Sequence, residues 1–313
     1  MLVLANYAVI DLGSYTAKLT IACIHKDIVV LQKNESSISL GQGFGENKIL
    51  KPEAIQRASE VIREWQGEIR KHNVAVIGVF ATGVSQVARN KKHLIDSILR
   101  ETGLRLRILS EEDEAGALFR GVMTDFPDDL TYVVLNVGGN TTRVIIGKKN
   151  RIEEIHCVRK GTIELNRILQ SDPPEEGEII TLENSIEARF SRVNPRRATG
   201  ESVLIHTGGE LDYVLAAGCK LTQSTLSPTH PYKVLLSDFE DFALRIRKTR
   251  KEILRSFRPQ NPKWMEGAVV SNTIAIYVAK KFGISEIVPS NRNITDGLLL
   301  DLQEQLKHGK KVD

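Results

Sequence analysis

Two segments of this chain carry the same set of residues that could grip a phosphate. VIDLGSYTAKLTI occupies residues 9–21 and VLNVGGNTTRVII occupies residues 134–146. Aligned, they pair Asp11 with Asn136, Gly13 with Gly138, Ser14 with Gly139, Thr16 with Thr141 and Lys18 with Arg143, and the apolar positions match on both sides. Each reads as a buried strand, an acid or amide, a glycine turn, a hydroxyl and a second strand. Glycine lets the turn take positive φ and brings backbone N–H groups close to a phosphate, where a side chain would clash. Ser and Thr hydroxyls add donors, and a carboxylate just before the turn can hold Mg2+, usually through water. A single glycine turn is equally what an ordinary β-hairpin needs. Two matching copies, each opening half of the chain, point to hairpins that clamp a phosphate chain from both sides of a cleft.

The elements that must position these hairpins are legible from periodicity. Residues 7–12, 16–24 and 27–33 read as a three-stranded meander with turns at 13–15 and 25–27, followed by a glycine-rich loop at 40–47. Pro52 opens a helix of about 20 residues with Ile55, Ala58, Val61, Ile62 and Trp65 on one face. Val74–Ala81 is a short apolar run expected as a buried strand, then come a helix over 91–101 stopped by Gly103, a strand over 104–109 and a helix over 111–123. The polar, proline-bearing break at 125–129 marks the expected domain boundary. The second half restarts with strands at 131–137, 141–148 and 151–158, a helix near Gly161 and another around 177–192. A strand over 202–207, a Gly208-Gly209 turn, a helix start at 211–217, helices through most of 236–282, a strand at 286–288 and a helix over 294–307 complete it.

A length of 313 residues gives a prior of two domains with material for two cores. High aliphatic and low aromatic content fits an α/β protein, and the ordinary apolar share argues against disorder. The net charge of +4 gathers in a tail (Lys307, Lys310, Lys311) and a patch at Arg245, Arg247, Lys248, Arg250 and Lys251. Such a surplus suits an anionic substrate and equally describes a solvated helix face; without interleaved aromatics it is no DNA or RNA signature. Cys23, Cys157 and Cys219 are odd in number and widely spaced, fitting neither a metal site nor a disulfide framework. No apolar stretch approaches the roughly 20 residues a membrane span needs. A soluble, cytoplasmic protein is expected.

The duplicated hairpin is the pattern of the actin, Hsp70 and sugar-kinase superfamily, which implies an α/β fold of two ribonuclease H-like lobes with a central cleft. The expected lobes are 1–125 and 126–298, with a closing helix over 299–313 free to return to the first. LGQGFGENKILKPEAIQRA (40–58), VFATGVSQVARN (79–90), ILSEEDEAGALFRGV (108–122), VVLNVGGNTTRVIIG (133–147), IHTGGELDYVLAAG (205–218) and IVPSNRNITDGLLLDL (287–302) together resemble the exopolyphosphatase/guanosine pentaphosphate phosphohydrolase family in its short, two-domain form. The resemblance implies removal of the terminal phosphate from inorganic polyphosphate or from a phosphorylated guanine nucleotide, with Mg2+ or Mn2+. It implies Glu114 as the general base that activates water, although Ser110-x-x-Asp113 is also a helix-capping box. Asp11 and Asn136 are the implied metal positions. Gly13, Ser14, Tyr15, Thr16, Lys18, Gly138, Gly139, Asn140, Thr141, Gly208 and Gly209 are the implied phosphate-lining ones. The fold class admits a homodimer, and no exposed apolar stripe demands one.

The chain departs from the family pattern where charge matters. Asn136 stands for an Asp, Lys18 and Gln86 for Arg, Glu164 for an Arg, Glu210 for a Thr and Thr295 for an Arg. Fewer cations and more carboxylates should weaken polyanion binding, because a charge-assisted hydrogen bond is worth on the order of 1.5–3 kcal/mol. Arg89, Arg120, Arg143 and Arg292 are candidates to compensate. A phosphoanhydride hydrolase is therefore the leading expectation, a phosphate- or nucleotide-binding regulatory protein of the same fold the alternative, and a sugar or acetate kinase the third.

Overall fold

The computed structural model describes residues 5–24, 28–194 and 202–307. The expected turn at 25–27 and the tail residues Lys310 and Lys311 lie outside them. The chain divides into two compact units, Met1–Gly121 with Ile294–Asp313, and Val122–Asn293.

The first unit contains β1 (Ala5–Leu12), β2 (Thr16–Ile24), β3 (Ile28–Ser37), α1 (Pro52–Lys71), β4 (Val74–Ala81), α2 (Val84–Val87), α3 (Lys91–Thr102), β5 (Leu106–Ile108) and most of α4 (Glu111–Met123). Its sheet has the order β3-β2-β1-β4-β5, antiparallel across the meander and parallel from β1 through β4 to β5. A central strand in such a sheet is buried on both faces, which is why 7–12 is an unbroken apolar run up to Asp11. One face (Ala8, Ile10, Leu12) packs against α1 through Ile55, Ala58, Ile62 and Trp65. The other (Tyr7, Val9) packs against Ala117 of α4 and Leu298, Leu299 and Leu302 of the C-terminal helix, Ile294–Lys307. That whole helix therefore belongs to the first unit, from residue 294 rather than 299. Gly297 allows its close approach, since a Cβ there would strike the Ala117 carbonyl oxygen. Thr20 Oγ1 to Thr295 Oγ1 at 2.7 Å, and Lys33 Nζ to Asp296 Oδ1 at 2.9 Å, fasten its first turn to β2 and β3.

The second unit contains β6 (Thr131–Val137), β7 (Thr142–Lys148), β8 (Arg151–Val158), α5 (Thr162–Leu165), α6 (Glu176–Phe190), β9 (Ser202–Thr207), α7 (Glu210–Ala216), β10 (Thr222–Gln223), β11 (Tyr232–Leu235), α8 (Leu236–Arg247), α9 (Lys251–Ser256), α10 (Ala268–Phe282) and β12 (Glu286–Ser290). The sheet order is β10-β11-β12-β9-β6-β7-β8. The β6–β7–β8 meander with parallel β9 beside β6 repeats the β1–β2–β3 meander with parallel β4 beside β1. The division falls at Gly121/Val122 rather than at 125/126. Phe126 packs within the second unit, lying edge-on to Tyr132 with ring centroids 5.1 Å apart and 4.7 Å from the His230 ring.

Several elements differ from the sequence expectation. β3 continues through the polar residues 33–37 because Thr16–Lys18 pair with Glu35–Ser37 across the meander. The helix near Gly161 is one turn, α5. The strands β10 and β11 and the turn α2 are too short for periodicity to reveal. Val29, Val30 and Leu31 on edge strand β3 are exposed, an apolar patch that the residue pattern does not signal.

Candidate active site

Both hairpins are closed in one way, with Gly13 N–H donating to the Thr16 carbonyl at 3.1 Å and Gly138 N–H to the Thr141 carbonyl at 2.9 Å. A backing segment then fixes the peptide planes of each turn. In the first, the Ser14 carbonyl accepts from Gly41 N–H, and the Tyr15 carbonyl accepts from Ile38 and Ser39 N–H. In the second, the Gly138 carbonyl accepts from Thr162 N–H and the Gly139 carbonyl from Ile163 N–H. A trans peptide points its N–H opposite to its C=O. The amides of Tyr15 and Thr16, and those of Gly139 and Asn140, are therefore aimed away from the segments that back each turn, as a phosphate cradle requires. Gly161 makes the second backing feasible: a Cβ there would lie 2.6 Å from the Gly139 carbonyl oxygen. The residue pattern marks Gly161 only as a helix start and carries no hint of this role.

In the first unit one short segment touches three expected site residues. Thr82 Oγ1 donates to Asp11 Oδ1 at 3.0 Å, Val84 N–H donates to Ser14 Oγ at 3.0 Å, and Gln86 Nε2 donates to Glu114 Oε2 at 2.7 Å. Gly83 between them has φ 60°, and a Cβ there would collide with the Ser14 hydroxyl. Asp11, Ser14 and Glu114 are all buried, at 5%, 8% and 8% exposure. Glu114 sits in the first turn of α4, whose N-cap is Ser110: Asp113 N–H donates to Ser110 Oγ at 3.0 Å and Glu114 N–H to the Ser110 carbonyl. The cap thus fixes the turn that carries Glu114. Lys18 lies opposite Asp11 on β2, half-buried.

In the second unit Asn136 Nδ2 donates to the Thr207 carbonyl at 3.2 Å, joining the end of β6 to the residue before the Gly208-Gly209 turn. Arg143, 4% exposed, is the cross-strand neighbour of Asn136. Asn140, in the turn itself, has a buried Nδ2 without a hydrogen-bond partner. Thr141 follows it in the turn, half-buried. At Gly209, φ is 110° and a Cβ would stand 2.6 Å from two nitrogens of the Arg258 guanidinium, which stacks 4.4 Å from the Trp264 ring centre. Nothing in the linear pattern signals Arg258, 49 residues downstream of that turn.

The charge departures are largely absorbed by the fold. Glu164 accepts from Lys160 and lies 3.9 Å from Arg189. Thr295 is fully buried, its hydroxyl bonded to that of Thr20. Glu210 turns inward, 2% exposed, accepting from Ser271 Oγ at 3.2 Å beside His206 Nε2 at 3.3 Å. Burial drives the His206 imidazole down to about 3, so it is neutral and that contact is no ion pair; its Nε2 shares a hydrogen bond with Ser271 Oγ at 3.1 Å. Of the candidate compensating cations, Arg89 is exposed and Arg120 pairs with Asp301 at 2.7 Å, whereas Arg143 is buried beside a glycine turn.

The donor set also bears on a metal. Among the described residues no group of three or more His, Cys, Asp or Glu is placed to hold one. Mg2+ commonly takes one or two protein carboxylates and completes its shell with water and substrate phosphate. Asp11, oriented by Thr82, fits that role; a closed protein cage does not fit these residues.

A two-unit α/β protein with a meander and glycine turn repeated in each half has the architecture of the actin-like ATPase fold. An exopolyphosphatase structure from Cytophaga hutchinsonii shares it, with a TM-score of 0.83 over 98% of this chain and 99% of that one at 21% identity. The chain belongs to the Ppx/GppA phosphatase family, whose model matches residues 21–306. Among its relatives, Exopolyphosphatase 2 of Mycobacterium tuberculosis is 22% identical over 322 aligned positions, covering 96% of this chain and 99% of that protein. The Bifunctional 3-dehydroquinate synthase/phosphatase of Fusobacterium nucleatum is 27% identical over 168 positions, which span 50% of this chain and only 25% of that longer protein. Among the described residues no helix is long and apolar enough to cross a membrane.

Proposed function

We propose that this chain is a phosphoanhydride hydrolase that removes the terminal phosphate from inorganic polyphosphate or from guanosine pentaphosphate. The observation that carries the reading is Glu114, buried in a capped first turn and held by the Gln86 amide at 2.7 Å, in the unit that also carries Asp11 and the Ser14 turn. Glu114 takes a proton from water as the water oxygen bonds to the terminal phosphorus. The bridging P–O bond breaks, and the shortened chain leaves with the bridging oxygen. The amides of Tyr15 and Thr16, in the unit of Glu114, bind phosphate oxygens and orient the terminal phosphate for in-line attack, and those of Gly139 and Asn140 are phosphate donors of the second unit. Asp11 would hold Mg2+ or Mn2+, which would neutralise phosphate charge when bound.

The test is phosphate release from long-chain polyphosphate, guanosine pentaphosphate and ATP with Mg2+ or Mn2+, beside Glu114→Gln. Release well above that control is expected. None above it, with binding intact, would sink the hydrolase reading. One observation favours a second reading, a regulatory protein that binds phosphate without turnover: the second hairpin has an amide, Asn136, facing an arginine, Arg143, at the second strand pair from its turn.

A further inference from the structure

The two hairpins share a backbone plan, yet their facing side chains form rows of opposite charge. Directly paired residues on adjacent antiparallel strands share a face of the sheet. The first row is Asp11, Lys18 and Glu35, two carboxylates around one cation. The second is Asn136, Arg143 and Cys157, one cation and no carboxylate. A cation ligand is therefore natural at the first row and disfavoured at the second, where a metal would approach a guanidinium. The Asn136 amide is also engaged, donating Nδ2 to the Thr207 carbonyl. A carboxylate at that position would set oxygen against oxygen.

From this we infer that the second hairpin is a metal-independent oxyanion half-site, with Arg143 supplying the charge that a metal supplies beside the first. This rests on the reading of the 138–140 turn as phosphate-binding and adds which residues perform it. Three observations converge. The Gly139 and Asn140 amides are turned outward by their tied carbonyls. Asn140 Nδ2 is a buried donor with no acceptor, a state that costs free energy unless a ligand supplies one. Arg143 lies three residues beyond Asn140 on the face of Asn136 and is buried, at 4% exposure. Asn136 is a positioning residue: it ties the end of β6 to the peptide that leads into Gly208.

The experiment measures tripolyphosphate binding to the intact chain by calorimetry in EDTA, and Mn2+ binding by electron paramagnetic resonance without phosphate. Tripolyphosphate is expected to bind in EDTA. Arg143→Gln should weaken that binding by roughly 10- to 100-fold, with Arg143→Lys recovering part of it and Asn140→Ala losing a smaller factor. Asp11→Asn should remove the Mn2+ signal, and Asn136→Asp should create no new one. Should Arg143→Gln melt early by circular dichroism, Asn140→Ala and the Mn2+ titration of Asn136→Asp carry the test unaided. Binding that vanishes in EDTA, or an Asn136→Asp protein that gains an Mn2+ site, overturns the proposal. Binding in EDTA without hydrolysis under either metal defeats the hydrolase reading and leaves the half-site standing. Hydrolysis with strictly metal-dependent binding does the reverse.

Discussion

The strand before the first glycine turn has a carboxylate as its penultimate residue, and the strand before the second has an amide there. Beside Asp11 stands Lys18, with Glu35 one strand further; beside Asn136 stands Arg143, with Cys157 beyond. The means of holding each turn also differ in detail. The first leans on a loop, through Ile38, Ser39 and Gly41, and the second leans on the first amides of α5, packed against it through Gly161. Both nonetheless aim two amides away from their backing. Backbone geometry is thus the shared half of the duplication, since it requires glycine and tied carbonyls. The side chains that set charge are free to diverge, because one substitution changes a field without moving the chain.

The comparison of the two units is tested most sharply at Glu114, which lies in the first. Glu114→Gln should lower kcat by about 10²- to 10⁴-fold in a phosphate-release assay while tripolyphosphate binding in EDTA persists. A parallel loss of both would mean that the base and the oxyanion half-site are not separable. Next comes the backing of the second turn. Gly161→Ala forces a Cβ against the Gly138 and Gly139 carbonyls and should cost about 1–3 kcal/mol, read from the thermal midpoint, with weaker tripolyphosphate binding. Gly83→Ala should instead displace the Ser14 hydroxyl and spare metal-free binding at the second hairpin.

A finer test uses the partner of the base. An arginine at residue 86 would set a full positive charge against Glu114 where an amide now stands, favouring the ionised carboxylate. Gln86→Arg should therefore move the acidic limb of the kcat/KM profile to lower pH, by about 1–3 units. An unmoved limb with retained activity would show that Glu114 does not set it. The smallest effect concerns stability alone. His206 protonates only near 3 when folded, against 6.5 as a free imidazole. Between those values the unfolded chain binds more protons, so stability falls as pH drops from 6.5 towards 3, by up to about 1.4 kcal/mol per pH unit. His206→Gln should flatten that part of an acid-unfolding curve.

Much of this was legible in the sequence because it is local. Strict apolar runs bounded by glycine place β1, β2, β6 and β7 to within a residue or two, and Pro52 and Gly103 mark helix ends by their own backbone preferences. The Ser110 cap is likewise a matter of spacing along one turn. Less legible was the fate of charged residues. Glu164, Glu210 and Thr295 look in sequence like losses at a phosphate site. The fold instead pairs the first with Lys160 and buries the other two. Arg258 was invisible because what defines it is proximity to Gly209, a contact between distant segments.

The sequence by itself determined that the chain is a duplication, that each copy centres on a glycine turn able to meet a phosphate, and that the copies differ at Asp11 and Asn136. These follow from residue type and spacing, which act through backbone conformation over a few residues. Only the tertiary structure decided where charge resides: that Thr82 and Gln86 orient Asp11 and Glu114, that Asn136 is spent on the Thr207 carbonyl, and that Arg143 is the cation beside the second turn. Electrostatic roles depend on distances through space and on burial, and neither is written in the linear order of residues.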